Sequence, residues 1–181
     1  RAIRPLFPDG YMNETQVIIN LISGEEQTLP DAYAALAASA ALAVSPIPFD
    51  GPISEVRVAK IDGEYQVNPS RDDLEKADLE VIVAATMDNV IMVEGEANEC
   101  SEAELVEAIR QGHEAIKVQI AAQLELAEKV GEYALNKREH VVEEENEELK
   151  NIVKEKTSEG ILAVARGALD KGARKEGFKA V

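Results

Sequence analysis

The densest apolar run lies at residues 15–22, where Val17, Ile18, Ile19, Leu21 and Ile22 follow one another with almost no polar interruption. A short run of this kind, rich in β-branched residues, predicts a buried strand. Residues 1–10, by contrast, are irregular and carry Pro5 and Pro8. A polar loop over residues 24–30 leads to Asp31, which reads as the cap of a helix reaching about Ser45 and stopped by Pro46 and Pro48. Alanine occupies almost every side of that helix, so it is expected to be buried all round. Val56 and Val58 then alternate with Arg57, Asp62-Gly63 supplies a turn signal, and Tyr65 and Val67 follow on the return. This predicts a hairpin over residues 53–67.

A short helix is expected over residues 70–76. A second hairpin, residues 79–85 with 90–93, turns around Met87, Asp88 and Asn89. Ser101 with Glu104 forms a capping box that opens the longest helix, about 101–130. Leu105, Ile109, Ile116, Ile120 and Leu124 make one stripe at helical spacing, to be buried against the sheet. Gly131 fits the C-cap. The character then changes. Residues 137–156 are dense in charge, Ile161, Leu162, Val164, Ala165 and Leu169 resume a helical pattern, and residues 171–181 are basic with helical potential. The chain therefore divides into an α+β part, residues 1–131, and a small all-helical part, residues 132–181. The order of elements predicts an antiparallel-rich sheet with helices packed on it. No internal repeat is visible.

Composition adds constraints. The 181 residues are 45% hydrophobic but only 4% aromatic, without Trp, so the core must be aliphatic. The net charge of −16 argues against a strong nucleic-acid binder, which wants clustered Lys and Arg. A single cysteine, Cys100, excludes an internal disulfide framework and any multi-cysteine zinc site, and fits a cytoplasmic setting. No stretch is long and apolar enough for a membrane helix. The chain opens on Arg1 without Met or a signal peptide, so the expectation is a piece cut from something longer, or a processed chain.

Isolated chemistry is sparse. His113 lies on or beside the long helix's apolar stripe and reads as a half-buried, hydrogen-bonded histidine. His140 reads as exposed. Asp72, Asp73 and Glu75 are in reach of Mg²⁺ in principle, but carboxylates in a helix's first turn are explained by its dipole. The run from Glu143 to Glu148 reads as a solvated helix face. Cys100 reads as a small, unreactive residue ahead of a capped helix. No glycine-rich phosphate loop occurs. From residues alone the chain is an acidic α+β domain with a helical extension.

Several segments nevertheless agree in order and spacing with one family. They are Arg1-Ala-Ile-Arg-Pro-Leu-Phe-Pro-Asp-Gly, Asn13-Glu14-Thr15-Gln16-Val17, Ala38-Ser39-Ala40-Ala41-Leu42 and Ile47-Pro48-Phe49-Asp50-Gly51-Pro52-Ile53. Gly63-Glu64-Tyr65 with Asn68-Pro69, Val90-Ile91-Met92-Val93-Glu94 and Gly112-His113-Glu114 complete them. The combination resembles the polynucleotide phosphorylase family over about residues 1–130, with a looser likeness at Asp170-Lys171 and Arg174-Lys175-Glu176-Gly177-Phe178. The resemblance implies a ribonuclease-PH-like fold, a mixed sheet with packed helices followed by an all-α domain. It further implies a piece of a homotrimeric enzyme that degrades single-stranded RNA from its 3′ end. Inorganic phosphate is the attacking co-substrate and nucleoside diphosphates are released. Mg²⁺ would be bound outside this segment, and proteins of an RNA-degradation complex are possible partners.

The resemblance places this segment in the later part of the first, non-catalytic repeat. Where the family's active repeat has a Ser-rich phosphate-binding turn, this chain has Glu25-Glu26-Gln27-Thr28-Leu29-Pro30-Asp31, whose carboxylates repel phosphate. Where it has metal-binding aspartates, this chain has Ser70 and Lys76. No catalytic or metal residue is therefore carried over. Arg1 and Arg4 are the candidates for RNA contact, against the alternative of ion pairing within the fold or with the rest of a longer protein. The competing reading is a stand-alone scaffold or interaction domain with no RNA chemistry.

Overall fold

Two strands joined by two residues with positive φ open the sheet. Asp62 (φ 51°) and Gly63 (φ 84°) form the tight turn between β1 (Ser54–Ile61) and β2 (Glu64–Val67), in the mirror-image geometry that matches strand twist. In this computed structural model, which describes residues 1–141 and 146–181, β3 (Leu79–Ala85) pairs with β1 and β4 (Val90–Ala97) pairs with β3. The sheet order is β2-β1-β3-β4 and every described pairing is antiparallel. Helices α1 (Asp31–Ala43) and α2 (Arg71–Leu74) flank β1 and β2 in sequence, and α3 (Glu102–Val130) follows β4.

The two sheet faces differ in chemistry. One face presents Val56, Val58, Leu79, Val81, Val83 and Ala85, all buried, to Ala108, Ile116 and Ile120 of α3. Fully burying such an aliphatic side chain is worth about 1.5–3 kcal/mol each, so this layer carries the fold. The other face presents Glu55, Arg57 and Ala59 of β1, with α1 on that side through the Arg57–Asp31 ion pair. Ala2, Ile3 and Leu6 of the N-terminal segment pack there around Ile53 and Ala84.

The structure corrects several expectations. Residues 15–22 are not a strand. They lie outside the sheet, and Ile18, Leu21 and Ile22 are 69%, 66% and 97% exposed. A strand needs a ladder partner, and this sheet supplies none to them. Helix α1 is not buried all round: Ala32, Ala38, Ser39, Leu42 and Ala43 are buried, while Tyr33 is exposed. On α3 the buried stripe runs through Ala108, Gly112, Ile116, Ile120, Gln123 and Ala127, and Leu124 is exposed. Ile116 and Ile120 lie at its centre, as expected, whereas Leu105 and Ile109 pack partly buried at its side, because Ala108 and Gly112 occupy the line of closest approach to the sheet.

Gly131 ends α3, at φ 80°, and by packing the chain forms two compact units, Arg1–Val141 and Val142–Val181. Past Gly131 the first unit is closed by a clasp at the end of α1. Helix α4 (Glu132–Leu135) buries Ala134. Lys137 Nζ then donates to the carbonyl oxygens of Leu42 (3.3 Å), Ala43 (3.1 Å) and Ser45 (2.7 Å), and Arg138 N donates to Pro46 O (2.8 Å). A cation on the last carbonyls of a helix satisfies orphan acceptors and complements the dipole.

In the second unit, α5 (Glu147–Arg166) and α6 (Lys171–Ala180) have no buried residue. The two approach closely where a Cβ at Gly177 would lie 3.0 Å from Val164 Cγ1. Of the expected acidic helix face, Glu147 and Glu148 are exposed in the first turn of α5; Glu143, Glu144 and Glu145 lie outside the described residues. No described helix is long and apolar enough to cross a membrane.

Two outcomes test this packing. Gly112 lies where α3 meets the sheet, and a Cβ there would sit 3.1 Å from both Val58 Cγ2 and Val83 Cγ2, in residues with no exposed surface. Gly112→Leu should lower stability by roughly 3 kcal/mol, or prevent folding, because overpacking outweighs any gain in helix propensity; a urea midpoint equal to the native one would contradict the packing. The second concerns the capping box. Glu104 accepts from Lys60 Nζ, from Ser101 N (2.8 Å) and from Ser101 Oγ (2.9 Å). These bonds, Lys60's first, hold its carboxyl at about 2 against an ordinary 4.5. The stabilisation is fully present above pH 4.5 and is lost as pH falls toward about 2. Urea midpoints at pH 6 and pH 3 should therefore differ less in Glu104→Gln than in the native chain.

Candidate functional site

The loop over residues 25–31 closes on the start of α2 through three hydrogen bonds. Arg71 N donates to Gln27 O (3.0 Å), Arg71 Nε to Glu26 O (3.2 Å) and Asp72 N to Gln27 Oε1 (3.2 Å). Asn68, at φ 50°, extends the ladder one step past β2: its N–H donates to Arg57 O (2.7 Å) and its Oδ1 accepts from Arg57 N (2.9 Å). Between these elements lies a cleft of about 290 Å³, with Arg57 on its floor and Glu25, Gln27, Asp31, Asn68 and Ser70 around it.

Arg57 sets the electrostatics of that cleft. Its side chain is 11% exposed and makes ion pairs with both Asp31 and Glu80. Its Nε is buried without a hydrogen-bond partner. The guanidinium is thus neutralised by two carboxylates before any ligand arrives. Two residues earlier on β1, burial first and then the charge of Asp31 push the Glu55 carboxyl up. A phosphate entering here meets Glu25 and Asp31 and no free cation of the floor, so the residues present do not fit an anion.

They do not fit a metal either. Ser70 Oγ donates to Asp73 Oδ2 (2.6 Å) and accepts from Asp73 N (3.2 Å), and Lys76 Nζ lies 3.1 Å from Asp73 Oδ1. Ser70 first, then Lys76, hold the Asp73 carboxyl below its ordinary range. Of the three carboxylates between the two aligned positions, Asp73 is already occupied by a hydroxyl and an ammonium, while Asp72 and Glu75 are exposed. Among the described residues no group of three or more His, Cys, Asp or Glu is placed to hold a metal ion.

Arg1 and Arg4 are brought to one groove of about 540 Å³ on the N-terminal segment, beside Phe7 and Tyr11. Arg1 Nη1 lies 3.1 Å from Glu94 Oε2, with the side chains 79% and 62% exposed; such a pair is worth little in water. Arg4 sits in the short 3₁₀ turn Arg4–Leu6 and is exposed, with no ion pair among the described residues. Phe7 and Tyr11 stack with centroids 5.5 Å apart. Sequence reasoning missed that stack, although both rings stand in the stretch carrying the two arginines.

The remaining candidates are structural. His113 Nε2 lies 3.0 Å from Thr86 O and 3.1 Å from Met87 O, where an Nε2–H is shared by the two carbonyls of the β3–β4 turn. His140 is half-buried rather than exposed, its ring edge-on to Tyr11 at 5.9 Å. Cys100 is half-buried against the α3 layer. Arg57, the organiser of the cleft, was invisible as such: a charged residue alternating with valines reads as the solvent side of a strand.

Comparison with known proteins places these features. Residues 51–115 match the model of the 3′ exoribonuclease family, domain 2. The whole chain is 55% identical to 24% of the polyribonucleotide nucleotidyltransferase of Parabacteroides distasonis. It is similarly 53% identical to 25% of that of Bacteroides fragilis and 52% identical to 24% of that of Porphyromonas gingivalis. The chain spans about a quarter of the length of the curated relatives it matches.

If Arg57 is kept from anions by Asp31 and Glu80, removing both charges should release it. The Asp31→Asn/Glu80→Gln double variant should show phosphate-dependent chemical-shift changes around Arg57 with millimolar phosphate, where the native chain shows none. Equal responses in the two proteins would contradict the neutralised floor.

Proposed function

We propose that the chain is part of a phosphate-dependent 3′-to-5′ exoribonuclease; the match of residues 51–115 to the 3′ exoribonuclease family, domain 2, and the 55% identity to a polyribonucleotide nucleotidyltransferase support this reading. The segment is the later part of the first ribonuclease-PH-like repeat of a polyribonucleotide nucleotidyltransferase, with part of the helical domain. The parent degrades single-stranded RNA to nucleoside diphosphates, with inorganic phosphate as attacking group. It does so as a cytoplasmic homotrimer, with Mg²⁺ bound outside this chain and with proteins of an RNA-degradation complex as further partners. This repeat is a scaffold for that assembly and performs no phosphorolysis.

The observation that carries the scaffold reading is the double neutralisation of Arg57 by Asp31 and Glu80. Phosphorolysis needs a site that concentrates phosphate and stabilises charge developing on the transferred group. Here Glu25 and Asp31 line the cleft with Arg57, and Lys76 lies against Asp73. What this chain's residues do instead is fix the loop over residues 25–31 to α2 and α1 to β1. Arg1 and Arg4 remain the residues proposed for RNA contact at the N-terminal groove.

The test is phosphorolysis of poly(A) by the purified chain with phosphate and Mg²⁺, followed by release of nucleoside diphosphate. No release above the blank is expected at any pH between about 6 and 9. Clear turnover would overturn the scaffold reading.

A further inference from the structure

The last helix departs from the charge of the rest of the chain. Against a net −16 overall, α6 carries Lys171, Arg174, Lys175 and Lys179, with Glu176 as its acidic residue. At 3.6 residues per turn these four cations and Phe178 fall on one continuous face. The five residues line a single shallow cavity of about 520 Å³. All are exposed, and Phe178, at 43%, stands among the cations. The adjoining face is engaged: Gly177 meets Val164, and Val181 meets Gly160, of α5. The stripe is therefore held outward by the α5–α6 packing. Lys179 and Glu176 pair at 2.9 Å, but both are mostly exposed, so that pair is readily exchanged for a stronger anion.

We propose that this face of α6 binds single-stranded RNA, its cations on successive phosphodiesters and Phe178 stacked against a base. An aromatic ring set among cations is the arrangement that takes an unpaired strand without sequence preference, since every base has a π-face. A bilayer surface fits less well. Interfacial helices insert a broad apolar face, and that of α6 is turned toward α5, leaving one ring. The choice of a single strand comes from the stripe; the choice of RNA rests on the function proposed above. The site is separate from the Arg57 cleft and from the Arg1–Arg4 groove. It also narrows the expectation drawn from net charge, because binding depends on local rather than total potential.

The experiment is fluorescence anisotropy of a labelled single-stranded oligoadenylate RNA with the full 181-residue chain, between about 50 and 200 mM salt. Four phosphate contacts on a single strand predict a log–log salt slope near −3, roughly 0.7 per contact. Changing Lys171, Arg174, Lys175 and Lys179 together to Gln should weaken binding at least tenfold and flatten the slope. Phe178→Ala should weaken binding roughly fivefold for RNA and leave heparin binding unchanged, which separates stacking from general polyanion attraction. Because all five side chains are exposed, helix content by circular dichroism should be preserved. The proposal is overturned if the quadruple variant binds like the native chain, if Phe178→Ala has no effect, or if duplex RNA or anionic vesicles bind as tightly as the single strand. Binding of single-stranded DNA without RNA would overturn the RNA assignment. Absence of binding would remove this site, whereas the scaffold reading stands or falls on the phosphorolysis assay.

Discussion

Both main-chain groups of Ile53 are claimed by side chains from different helices. Its N–H donates to Ser39 Oγ of α1 (2.9 Å) and its carbonyl accepts from Gln123 Nε2 of α3 (2.8 Å). Ile53, Ser39 and Gln123 are all buried, so water cannot substitute for either partner, and leaving one of these groups unsatisfied costs about 1–3 kcal/mol. The residue sits just ahead of β1. The two bonds therefore fix where both helices lie relative to the first strand. Once α1 is fixed at Ser39, Asp31 at its start falls within reach of Arg57. The position of the cleft follows from a satisfied backbone at the opposite end of α1.

How much of this was legible depended on whether the signal was local. Ser101 and Glu104 are three residues apart, and their bonds form within one turn, so the capping box was readable without tertiary context. The Asp62-Gly63 turn was readable for the same reason. The Arg57 cleft was not. Its partners Asp31 and Glu80 are distant in sequence and meet only because β1 lies between α1 and β3. Leu124 misled because helical spacing identifies a face but not its centre. The centre is set by where Gly112 and Ala108 let the backbone approach Val58 and Val83. Residues 15–22 misled for a deeper reason: β-branched composition expresses a preference for a ladder, and a ladder requires a second strand. Composition gave no hint of the cleft, whereas the family resemblance pointed to Glu25 to Asp31 and Ser70, several of which line it.

Charge is distributed by role. On the first unit, carboxylates cancel the buried cation of the sheet and cap helices. Lys137, pushed down by burial, closes the carbonyl end of α1. On α6 the four cations are exposed, with Glu176 as the helix's own acidic residue. A net charge summed over the whole sequence averages these two situations and describes neither.

The exposed run over residues 15–22 sets the colloidal behaviour of the chain. An extended, β-branched segment outside any ladder is a template for pairing with its like. What opposes such pairing between copies is long-range repulsion from the −16 charge. That repulsion is screened within about 10 Å at 0.1 M salt, whereas the apolar attraction is not. Raising ionic strength therefore removes the repulsion between copies while leaving the attraction of this exposed segment in place.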